Sequence, residues 1–101
     1  MAYFFLFYHN LPSFTSKKGP LSHTRHTLIE IASFAKTNNL IIISDEIYEK
    51  LLYGSNGHIS IASLSEDAYN RTIVINGVSK AYAMTGWRIG YAAGSTEIVS
   101  L

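Results

Sequence analysis

Two short polar clusters hold most of the side chains in this chain that could do chemistry. The first is Asp45-Glu46 with Tyr48 just after; the second is Ser79-Lys80, followed by Arg88. Each comes after an apolar, β-branched run, Leu40-Ile41-Ile42-Ile43 and Thr72-Ile73-Val74-Ile75. Such runs read as buried strands, and in open α/β sheets ligands bind beyond the carboxyl ends of strands. Together the clusters offer a carboxylate, a phenol, a hydroxyl, an amine and a guanidinium. That set suits an anionic, heteroaromatic group that bonds covalently to an amine. Lys80 could form a Schiff base with an aldehyde, and Asp45 could hold a ring nitrogen protonated. Tyr48 could donate to a ring oxygen, and Arg88 could clamp a phosphate bidentately.

Each residue also has a plainer use. An Asp after a strand commonly caps or turns the chain. A loop Lys is commonly solvated, and an Arg commonly snorkels or makes a surface pair. Ser79 could cap the next turn of chain, and Tyr48 could be core. On spacing alone these uses outweigh a Schiff-base site. Other patterns carry less. His23 and His26 stand at helical spacing for a metal pair, but no third ligand is evident, and no metal site is expected. There is no Gly-x-x-x-x-Gly-Lys-Ser/Thr run and no Gly-x-Ser-x-Gly elbow. Gly86-x-x-x-Gly90 lacks the long apolar segment of a membrane dimer and reads as strand packing.

The elements that must position these groups are partly legible. Thr24 or Thr27 opens a helix, and Thr27 with Glu30 fits a capping box. Leu28, Ile31, Ala32 and Ala35 form its buried stripe, and Asn38-Asn39 ends it. The strand after it reads as central, parallel and covered on both faces. Ile47 to Tyr53 is ambiguous, and Gly54 to Gly57 is a turn. Ser65 to Arg71 is a polar stretch before the second strand. Trp87 to Ala93 is a third strand candidate, Ser95-Thr96-Glu97 a helix cap, and Ala2 to Tyr8 a possible buried strand.

The chain has 101 residues, enough for one small domain. Lys plus Arg is 8 against 7 for Asp plus Glu, a net charge of +1 that gives no electrostatic argument for a nucleic-acid or membrane-surface partner. Charged residues are 15%, below the roughly 25% of an average soluble domain, while apolar residues reach 48%. That is the composition of an interior. The absence of Cys excludes disulfides and thiolate chemistry, and the longest apolar run, Ala2 to Tyr8, falls short of the roughly 18 residues of a membrane span. A cytoplasmic setting is expected. Buried parallel strands need helices on both faces, and only one good helix is evident, so the expected fold is a piece of a larger α/β domain.

Two runs then carry a resemblance. Ser44-Asp45-Glu46-Ile47-Tyr48, followed by the unbroken run from Gly77-Val78-Ser79-Lys80 through Thr85-Gly86-Trp87-Arg88-Ile89-Gly90-Tyr91, is similar to the pyridoxal-phosphate-dependent aminotransferases of class I, fold type I. The second run looks most like the aspartate aminotransferase branch. The resemblance implies a fragment of the large cofactor-binding domain, a largely parallel sheet with helices, over residues 23–101. It implies pyridoxal 5′-phosphate as cofactor and amino transfer from an amino acid to a 2-oxo acid by a homodimer of the full-length protein, with the isolated chain expected to be inactive. Lys80 would bond the cofactor and move the proton, and Asp45 would pair with the pyridinium nitrogen. Tyr48 would hydrogen-bond the ring oxygen. Arg88, with Ser79, would bind the phosphate. Gly77 stands where many relatives have Ser, and Lys17-Lys18-Gly19-Pro20 stands where the family has Asn-Pro-Thr-Gly. Residues 1–22 show no family match, as a frameshift or misplaced start would leave them. The rival expectations are another fold-type-I activity, such as a C–S lyase, and a non-catalytic gene remnant.

Overall fold

The computed structural model describes residues 5–9, 24–51 and 57–100. Helix α1 spans Arg25–Thr37. Of the two candidate caps, Thr24 is the one used: its side chain accepts from the Thr27 amide at 3.2 Å. Thr27 therefore lies inside the first turn and forms no capping box. Glu30 instead pairs with His26 at 3.4 Å on the exposed face, which also gives His26 a use other than metal binding. The anticipated stripe is the buried one: Leu28 and Ala35 are in the core, and Ile31 and Ala32 pack against it. At the other end Asn38 donates its amide to Phe34 O at 2.9 Å, and Asn39 takes the left-handed conformation, φ 51°. Asn tolerates that conformation better than most residues, so the pair ends the helix and turns the chain into a strand.

Four strands form one sheet in the order β1-β2-β3-β4. β1 (Phe5–His9), β2 (Ile41–Asp45) and β3 (Thr72–Gly77) run parallel; β4 (Gly90–Ala93) is antiparallel to β3. The expected largely parallel α/β sheet is present, with β2 inside it. Only one face of β2 is fully covered. Ile42 and Ser44 are buried, whereas Ile41, Ile43 and Asp45 are half-buried. Ile42 meets Leu28, Ala35 and Ile61 in the core.

The polar stretch before β3 holds an unexpected helix, α2 (Glu66–Arg71). Ser65 caps it by accepting from the Ala68 amide at 3.1 Å. Arg71 forks Asp67 with two bonds of 2.8 Å and donates to Leu40 O at 3.0 Å. With six residues and one buried side chain, Ala68, the helix has no apolar stripe to betray it. The third strand candidate is shorter than anticipated, because Thr85–Trp87 is a 3-10 turn. Ser95 does precede a short helix, α4 (Thr96–Val99). The strand expected over Ala2 to Tyr8 is met at Phe5–His9, while residues 2–4 and 52–56, and so most of the turn expected at Gly54 to Gly57, lie outside the described residues, as do Lys17 to Pro20 and His23. Among the described residues, no helix is long and apolar enough to cross a membrane.

Gly77 ends β3 where a side chain has no room: a Cβ would stand 2.7 Å from Ile89 O and 3.1 Å from Gly90 Cα. The neighbour is backbone and cannot swing aside. Gly77→Ala is expected to cost about 1–3 kcal/mol through overpacking, whereas Gly86→Ala, with open space around its Cβ, should stay within about 0.5 kcal/mol. Denaturant midpoints followed by circular dichroism measure both, and equal costs would show that the Ile89 approach is not a constraint.

Candidate functional site

The carboxyl ends of β2 and β3 lie side by side. Their ladder pairs Asp45 with Ile75, and the Glu46 amide extends it by donating to Ile75 O at 2.9 Å. Asp45 then turns the chain: its Oδ1 accepts from the Ile47 amide at 3.1 Å. The turn after it is closed by Glu49 N–H to Glu46 O at 3.0 Å and Leu51 N–H to Tyr48 O at 2.9 Å. It carries the half-buried Tyr48.

β3 ends in buried Asn76 and Gly77, and the chain enters the single turn α3 (Val78–Ala81). This turn presents Ser79, half-buried, and Lys80, exposed. Lys80 Nζ stands 5.8 Å from the centroid of the Tyr48 ring, within the range of a cation–π contact. The loop beyond folds back: Val78 N–H donates to Ile89 O at 3.3 Å, and Thr85 Oγ1 donates to Ser79 O at 3.2 Å. Ala83 and Arg88 have φ of 51° and 55°, conformations that cost a non-glycine residue about 1–2 kcal/mol. Arg88 is exposed and donates to Thr85 O at 3.3 Å.

The two clusters read from the sequence thus adjoin. Asp45 and Tyr48 occupy one strand end, Ser79 and Lys80 the next, and Arg88 sits on the loop tied to Ser79. Glu46 does not belong with them. Strand alternation sends it, with Ser44, to the buried side, at 3% and 1% exposure. There its Oε1 accepts from Ser44 at 3.0 Å and from Ser60 at 2.8 Å, and its Oε2 meets His58 Nε2 at 2.8 Å. His58 and Ser60 went unread in the sequence. The available signal was Ser44, a polar residue next to a strand run that is otherwise apolar. A cleft of about 270 Å³ elsewhere, lined by Ile29, Ala32, Ser33, Lys36, Leu64 and Asp67 among others, takes no residue from the strand ends.

Comparison with known proteins decides the family. Residues 22–101 match the pattern described as aminotransferase class I and II. The chain belongs to that family. It is 59% identical over 78 residues to the aspartate aminotransferase of Bacillus sp. (strain YM-2), covering 77% of this chain and 20% of that protein. An aromatic aminotransferase from Pyrococcus horikoshii OT3 superposes with a TM-score of 0.71 at 48% identity, over 76% of this chain and 20% of that one. A double mutant of Thermus thermophilus aspartate aminotransferase gives 0.77 at 35% identity, over 95% of this chain and 23% of that one. The chain therefore spans about a fifth of the length of the relatives it matches. Class I aminotransferases are generally pyridoxal-phosphate dependent, and both motifs that carry the sequence resemblance lie within the matched residues.

The Glu46–His58 pair has a definite pH signature. Burial pushes the Glu46 carboxyl up, but hydrogen bonds from His58, Ser60 and Ser44 and the His58 charge together bring it below its ordinary 4.5. The Glu46 hydrogen bond and charge raise His58 above its ordinary 6.5, against the opposing effect of burial. A lowered acid stabilises above its unfolded value and loses that as pH falls through the folded one. A raised base stabilises below its unfolded value and loses that as pH rises through the folded one. The pair is therefore fully stabilising between pH 4.5 and 6.5. His58→Ala is expected to cost about 3 kcal/mol there, as for breaking a buried pair. Melting curves across pH should show the gap to the unaltered chain narrowing on both the acid and the alkaline side. A gap that stays constant across pH would contradict the pairing.

Proposed function

We propose that residues 23–101 form part of the large domain of an aspartate aminotransferase-like enzyme. The whole protein transfers an amino group from an amino acid to a 2-oxo acid, as a cytoplasmic homodimer. The observation that carries this reading is the meeting of the Lys80 amine with the Tyr48 ring, 5.8 Å to the centroid, on strand ends that also bear Asp45. A carboxylate, a phenol and an amine grouped this way fit a phosphorylated pyridine aldehyde, and the match to the aminotransferase family supports the same cofactor. The similar proteins carry aminotransferase names, which favours amino transfer over a C–S lyase.

Pyridoxal 5′-phosphate, when bound, supplies a protonated ring that withdraws electrons from the substrate α-carbon. Asp45 would pair with the ring nitrogen and keep it protonated by charge. Tyr48 would donate its hydroxyl to the ring oxygen. Arg88, a planar fork that suits phosphate, and Ser79 would hold the phosphate end. Lys80 would hold the aldehyde carbon and, once displaced by substrate, would carry the substrate's α-proton to that carbon. The exposure of Lys80 and Arg88 leaves both groups open to a ligand.

Borohydride reduction in the presence of pyridoxal 5′-phosphate, with peptide mapping of the product, should place the label on Lys80 in preference to Lys36 or Lys50; a preference for either of those would overturn the assignment. A second outcome concerns Asp45. With residues 24–101 set in a full-length family framework, Asp45→Asn should lower turnover of aspartate with 2-oxoglutarate by about a hundredfold or more, as for other lost electrostatic stabilisers. Cofactor affinity should weaken less. Near-normal turnover would remove Asp45 from the site.

A further inference from the structure

We propose that Glu46 and His58 are positioning residues for the site: their buried pair clamps the turn after β2 so that Asp45 and Tyr48 are presented toward Lys80. This rests on the cofactor reading of Asp45, Tyr48 and Lys80, while the clamp itself rests on contacts within the protein.

Asp45 and Glu46 are neighbours in the chain but point to opposite sides of the sheet edge. The Asp45 side lies toward the candidate site. The Glu46 side is closed: its side chain is 4% exposed, and His58 is 13% exposed. The carboxylate joins two stretches of chain. Ser44 comes from β2 itself, whereas Ser60 and His58 come from the returning segment, 14 and 12 residues further on. That segment is anchored in turn, because Ile61 comes immediately after it and is 1% exposed in the core. The Glu46 backbone is fixed from the other direction by its amide bond to Ile75 O. A rotation of the turn that moved Asp45 or Tyr48 would therefore have to break contacts of a buried, charged group, and removing one partner of such a group is costly.

The same side chains are close enough to suggest a metal: ligand atoms of Glu46, Glu49 and His58 lie within 4.8 Å of one another. Both oxygens of Glu46 and Nε2 of His58 are already engaged, however, so the cluster is a closed anchor. Glu49 and Lys50, on the turn itself, face His58 with opposing charge effects, and Glu46 supplies its direct bond.

The test uses residues 24–101 set in the same full-length family framework, with pyridoxal 5′-phosphate and three variants. Glu46→Gln keeps the shape and removes the charge. His58→Ala removes the donor. His58→Gln restores an N–H donor without the imidazole. Amide hydrogen exchange reports the clamp without reference to the cofactor. In Glu46→Gln and His58→Ala, exchange at Ile47, Glu49 and Leu51 should rise about tenfold or more beyond the rise at amides of α1 and β3, which reports the loss of global stability, as for a local opening. In parallel, the share of borohydride-fixed label on Lys80, relative to Lys36 and Lys50, should fall about fivefold, as expected when preorganised geometry is loosened. His58→Gln should recover both readouts. Unchanged exchange in the turn overturns the clamp. A rise spread equally over α1 and β3 also overturns it, because the pair would then support the fold in general. Local opening with full Lys80 preference overturns the positioning role. If the unaltered chain shows no preference for Lys80, the cofactor reading fails, and the exchange pattern alone decides the clamp.

Discussion

The candidate site depends on one constraint: β2 and β3 are hydrogen-bonded neighbours running the same way, so their carboxyl ends emerge together. An antiparallel pairing would put the end of one beside the start of the other, separating Asp45 and Tyr48 from Ser79 and Lys80 by the length of a strand. Parallel pairing requires a crossover, and residues 46–71 supply it, passing through Ile61 in the core and through α2. The core under the sheet serves the same geometry, since Ile42 packs on Leu28, Ala35 and Ile61 and seats β2 against its helix.

Backbone shape carries the second cluster further. Gly77 lets Ile89 O come close enough to accept from Val78 N–H, and the chain then reverses through left-handed residues at Ala83 and Arg88. Such conformations persist in non-glycine residues only where the surroundings hold them. Here Thr85 is the tie, bonding back to Ser79 O while its own carbonyl receives the Arg88 guanidinium. A run of residues between a lysine and an arginine thus becomes a loop that returns the second toward the first.

Two adjacent acids illustrate how position selects chemistry. Asp45 and Glu46 differ by one methylene and one place in the chain. One sits half-buried at the sheet edge and turns the backbone. The other is buried, holds three side-chain hydrogen bonds and is lowered in pKa by them despite its burial. The alternation of a strand is what sends them apart.

The sequence by itself determined the local elements with strong periodicity and the residue types of the two polar clusters. Asp45, Tyr48, Ser79, Lys80 and Arg88 stood out as candidates by residue type and by their place after the strand runs. The stripe of α1, its Asn38-Asn39 ending and the cores of β2 and β3 were legible because each depends on neighbours along the chain. Thr24 or Thr27 as cap, the short helix hidden in Ser65 to Arg71, and the start of β4 at Gly90 were not, because capping geometry and tertiary packing choose among locally similar options. Only the tertiary structure put the Lys80 amine over the Tyr48 ring and joined Glu46 to His58 and Ser60. Those contacts link residues from 12 to 32 positions apart. At such separations no periodicity relates one partner to the other; strand order and the path of the crossover decide which side chains meet.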